Sequence, residues 1–78
     1  MLTYRLKEDI IYDEEGECCT VYGIEAVMPE GSVIQSFSDI FFSRNKAERL
    51  VRLCNNEKLA LIHLADAVED ALTEQYAV

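Results

Sequence analysis

The sequence predicts a two-layer α+β domain: a three-stranded antiparallel meander followed by two C-terminal helices on one of its faces, in the order β-β-β-α-α. Three observations carry that reading. Apolar and polar residues alternate through much of the first 40 positions, the apolar spacing turns helical after Ser43, and Gly16, Pro29 and Gly31 punctuate the alternating runs. Each element so made has one apolar face, and laying both helices on one side of the sheet buries those faces together.

The first strand is read from LTYRLKEDIIY. Leu2, Tyr4, Leu6, Ile10 and Tyr12 share a face, Thr3, Arg5, Lys7 and Asp9 take the other, and Glu8 interrupts the apolar side where the strand leaves the core. DEEGE follows as a polar hairpin loop in which Gly16 supplies a positive φ. CCTVYGIEAVM is the second strand, with Cys18, Tyr22, Ile24, Ala26 and Met28 on one face, Val21 and Val27 on the other, and Gly23 marking a bulge or a close backbone approach. PEGS makes the next turn, and SVIQSFSDI, residues 32–40, is the third strand.

Ser43 then reads as the N-cap of a helix over RNKAERLVRLCNN, with Ala47, Leu50, Val51, Leu53 and Cys54 as its buried stripe. Asn55 and Asn56 read as its stop, because Asn tolerates the left-handed conformation. A second helix covers residues 61–75 and buries Leu61, Leu64, Ala65, Val68, Ala71 and Leu72, although neither residue 60 nor 61 is a good cap. With no repeat or linker, residues 1–78 read as a single domain.

Fifteen acidic residues against seven basic give a net charge of −8. A nucleic-acid binder needs Lys and Arg to displace the counterions of phosphates, and this chain repels them, so neither nucleic acid nor an anionic membrane is a predicted partner. No charged segment followed by an apolar one resembles a leader, and no run approaches the ~18 apolar residues of a membrane span. The reading is a cytoplasmic protein. Three cysteines, two of them adjacent at Cys18 and Cys19, do not make a disulfide framework. Three free thiols are expected, with Cys54 in the core and one of the adjacent pair buried.

The single histidine stands among carboxylates in IHLADAVED. His63, Asp66 and Asp70 fall at i, i+3 and i+7 on one helical face, with Thr73 and Glu74 beside them and Glu69 at the edge, so neighbouring pairs present donors to a metal ion. Zinc sites take their ligands from Cys and His on more than one element, whereas this face lies opposite the apolar stripe. It reads first as a solvated surface; a metal-binding or metal-sensing protein using His63, Asp66 and Asp70 is the alternative. The acidic loop beside Cys18 and Cys19 disfavours the thiolates that redox or nucleophilic chemistry requires. No phosphate loop, serine triad spacing or CxxC is present, so the chain reads as a non-catalytic interaction or regulatory module without a cofactor.

DIFFS breaks the pattern, because Ile40, Phe41 and Phe42 cannot all face one core. Phe42, directly before the Ser43 cap, is placed to staple onto Ala47, which leaves Phe41 outward as a contact residue. SVIQSF carries no charge, and an uncharged edge strand is a template for pairing. A homodimer through strand 32–40 with Phe41 and Phe42 is the expected assembly.

The segments YRL (4–6), YGI (22–24), AERLVRLCN (47–55) and IHLADAVEDAL (62–72) resemble a family of small acidic proteins of unknown function from anaerobic Gram-positive bacteria. The resemblance covers nearly the whole chain. It implies the same fold and no activity, substrate or cofactor. This chain departs from the family pattern at Ala60 and Leu61, where a Ser-Pro pair opens the second helix, and at Phe41 and Phe42, where small polar residues stand.

Overall fold

The computed structural model describes residues 2–76, with side chains for residues 2–74. Strands β1 (Thr3–Tyr12), β2 (Cys18–Val27) and β3 (Val33–Phe41) precede α1 (Arg44–Asn56), and a 3₁₀ turn (Leu61–His63) runs directly into α2 (Leu64–Tyr76). The strands form one antiparallel sheet in the order β1-β2-β3, the expected meander. Both hairpin loops are alike. Gly16 and Gly31 stand at φ +84° and +99° and donate back to Asp13 and Met28, so each loop turns on the one residue type that takes this conformation without strain.

β1 and β2 pair without interruption from Thr3↔Val27 to Tyr12↔Cys18. β3 is less regular. Between the pairs Ile24↔Phe37 and Tyr22↔Phe41, the three residues Ser38, Asp39 and Ile40 stand opposite the single Gly23, and Asp39 takes φ +56°. A Cβ on Gly23 would lie 1.9 Å from the Phe37 carbonyl oxygen, so the chains approach there as closely as glycine alone permits. A second register shift lies between Ala26 and Val27.

The bulge corrects the expectation for the two phenylalanines. Phe41 is still in the strand, opposite Tyr22, and is 4% exposed in the core, while Phe42 is 66% exposed. Pairing carries the chain one residue further than the staple arrangement assumed, and Asp39 turns it so that Ile40 enters the core with Phe41.

The core cluster joins Tyr4, Ile24, Ala26, Ile40 and Phe41 of the sheet to Ala47, Leu50 and Cys54 of α1 and Leu64 and Val68 of α2. Sheet and helices therefore share one core, and each large side chain fully buried there contributes about 1.5–3 kcal/mol. Val21 and Val27 are also buried, outside that cluster. Two stripe expectations change: Leu53 is 52% exposed, and Ala65 is exposed while Ala67 is half-buried in its place.

β1 and β2 continue past the last rung to β3, so residues 9–12 and 18–21 form a two-stranded ribbon. α1 begins at Arg44, three residues after the last rung Tyr22↔Phe41, so the helical layer starts near the base of the ribbon. Ile10 and Tyr12 share the apolar face but lie past Glu8, where the sequence reads the strand as leaving the core, and they are 60% and 72% exposed; Cys18 and Cys19 are both exposed. The radius of gyration of 13.1 Å exceeds the roughly 11.5 Å of a compact chain of this length, consistent with the extension.

Tyr4 ties the layers together. Its backbone N–H donates to Asn55 Oδ1 and its carbonyl accepts from Asn55 Nδ2, both at 2.8 Å, while its hydroxyl donates to the Leu59 carbonyl at 2.6 Å. Ser43 caps α1 by accepting from the Lys46 N–H. At the other end the helix continues through both asparagines, and Lys58, at φ +50°, is the left-handed residue. Leu59 N–H bonds back to the Cys54 carbonyl and Lys58 N–H to that of Asn55, a Schellman closure. The asparagine stop is thus replaced by Lys58, and Asn55 spends its amide on the edge of β1.

Candidate functional site: the groove between the two helices

α1 packs on the sheet, while α2 joins the shared core through Leu64 and Val68 without packing closely along α1. An open groove of about 680 Å³ lies between them. Phe41, Leu50, Leu53, Leu59, Ala67 and Ala71 give it an apolar floor. Lys46 and Arg49 stand on the α1 wall, with Glu57 further along. His63, Asp66, Asp70 and Glu74 stand on the α2 wall.

The spacing explains the division. Asp66, Asp70 and Glu74 repeat every four residues and keep to one side of α2, while Lys46, Arg49 and Leu53 follow the i, i+3, i+7 line beside the buried stripe of α1. Each helix is 13 residues long, or about 20 Å, so the walls run for three to four turns. The His63–Asp66–Asp70 face is exposed, but it borders the groove rather than facing away from the domain. The two helices make few direct contacts, and the space between them is bordered by this side of α2.

Among the described residues no three His, Cys, Asp or Glu side chains are grouped to hold a metal ion. Cys54 lies against Tyr4 in the core, and burial, followed by the charge of Glu57, pushes its thiol above the ordinary value of 9.0. That is the opposite of what a nucleophilic thiol requires. Phe42, named beforehand as a contact residue, is exposed at the junction of β3 and α1, and Phe41 instead forms part of the groove floor. Lys46 and Arg49 were missed as site residues. Their spacing was visible in the sequence, but their meaning depends on where the second helix lies.

The remaining charges sit elsewhere on the domain. On the sheet, Arg5 pairs with Glu25 and Lys7 with Asp9, and Arg44 pairs with Glu48 one turn along α1. Among the described residues no helix is long and apolar enough to cross a membrane.

These features define a small α+β domain, a bulged meander under two separated helices. The family model described as a family of unknown function (DUF6514) matches residues 1–74, and the chain belongs to that family. No curated protein and no solved structure matches it.

Proposed function

We propose that the protein is a non-catalytic intracellular interaction module whose α1–α2 groove receives an amphipathic helix of a partner protein. The observation supporting this reading is an apolar floor between the carboxylates of α2 and the Lys46–Arg49 end of the α1 wall, with Leu53 more than half exposed on it. A third helix laid in the groove completes the helical layer and covers Leu53. Its basic flank meets Asp66, Asp70 and Glu74, and its acidic flank meets Lys46 and Arg49. Reversing such a helix exchanges its flanks, so the walls select its direction as well as its charge pattern. The net charge of −8 adds a general attraction for basic partners.

The test is fluorescence anisotropy with a labelled, 14-residue helical peptide carrying Leu on one face, Lys on one flank and Glu on the other. A control peptide carries Glu on both flanks. We expect a dissociation constant of about 10–100 μM for the first. Two or three flank pairs of about 0.5 kcal/mol each make the control roughly tenfold weaker. Asp66→Lys with Asp70→Lys abolishes that preference. Equal affinity for both peptides, or no binding of either up to ~1 mM, removes the reading.

A further inference from the structure

The outer edge of β1 is closed at one end and open at the other. Tyr4 directs both backbone groups away from β2 to the Asn55 amide. Because the β1–β2 register is unbroken, Leu6, Glu8, Ile10 and Tyr12 direct theirs outward too. The end of the edge bearing Ile10 and Tyr12 belongs to the exposed ribbon. The edge of β3, although uncharged from Val33 to Phe37, is interrupted by two register shifts, a device that blunts edge pairing.

We propose that β1 pairs antiparallel with β1 of a second copy, about a two-fold axis at Ile10, and that this replaces β3 as the self-association edge. The sequence is self-complementary in this register. Ile10 meets Ile10, Asp9 meets Ile11, Glu8 meets Tyr12, and Lys7 meets Asp13 at both ends. Shifting the axis to residue 8 opposes Glu8 to itself, and shifting it to residue 9 opposes Asp9 to itself. Moving it to residue 11 sets Asp9 against Asp13, and to residue 12 sets Asp9 against Glu15. Like charges directly opposite destabilise a strand pair, so the register at Ile10 is favoured over its neighbours on either side. The result is a continuous six-stranded sheet with the helices of both copies on one face and their grooves free. The interface covers Ile10 and Tyr12, which the monomer leaves in water.

Sedimentation equilibrium of the full chain under reductant, from 5 to 200 μM, tests this with two variants. The wild type is expected to reach a dimer mass within that range. Ile10→Lys places like charges on the axis and yields a monomer with an unchanged circular dichroism spectrum and melting temperature in dilute solution. Ile34→Lys, on the β3 edge, leaves the dimer intact. A wild-type monomer at 200 μM overturns the proposal. So does a dimer that survives Ile10→Lys or is lost in Ile34→Lys.

Discussion

Asn55 carries more structural weight than its place near the end of a helix suggests. Its amide satisfies the N–H and the carbonyl of Tyr4 together, and truncation to Ala leaves two partly buried backbone groups without their partner. Urea denaturation of Asn55→Ala should show a loss of about 1–3 kcal/mol. Tyr4→Phe, which removes the bond to Leu59, should lose about 0.5–1.5 kcal/mol. Lys58 offers the opposite change. A residue with a Cβ is strained at φ +50°, and Lys58→Gly should gain about 0.5–1 kcal/mol by the same measurement. Tyr4 and Cys54 also set an alkaline limit. Burial holds the Tyr4 phenol above its ordinary 10.0, with the neighbouring Cys54 adding to it, and the Cys54 thiol is held above 9.0. Raised in the folded state, both groups contribute stability that is complete below their ordinary values and is lost as pH climbs through the folded ones. Melting temperature should therefore fall from about pH 9 upward, and Cys54→Ala should move the onset higher.

At the scale of elements, the bulge opposite Gly23 is a point where two strands approach as closely as glycine alone permits. A methyl group there meets backbone rather than a yielding side chain, so Gly23→Ala should cost upwards of about 3 kcal/mol, read as a melting-temperature loss of more than ~10 °C or failure to fold. The three strands, both turns, the Ser43 cap and the helix count were legible in the sequence, because alternation, glycine placement and capping chemistry are local signals. The phase of the third strand was not. Three residues opposite one glycine break the two-residue period, and local pattern alone misplaced Phe41 and Phe42. The reach of the ribbon was partly legible: Glu8 marked where the strand leaves the core, although Ile10 and Tyr12 beyond it keep the core-facing parity. The groove was half visible: its acidic wall drew notice as a candidate metal face, while the apolar floor and basic wall come together only once two helices and the end of β3 are placed.

For the whole molecule, the groove and the ribbon edge are separate surfaces with separate chemistry. A helix in the groove leaves β1 open, and a dimer through β1 leaves both grooves free, so peptide affinity should not change with protein concentration across the dimerisation range. The groove reading is the central claim, and amide chemical-shift mapping tests it most directly. On titrating the peptide with one Lys flank and one Glu flank into ¹⁵N-labelled protein, we predict shifts concentrated at residues 46–57 and 63–74, with the ribbon at 9–12 and 18–21 unmoved. Shifts centred on the ribbon or on the sheet face bearing Arg5 and Glu25, with α1 and α2 silent, would contradict it.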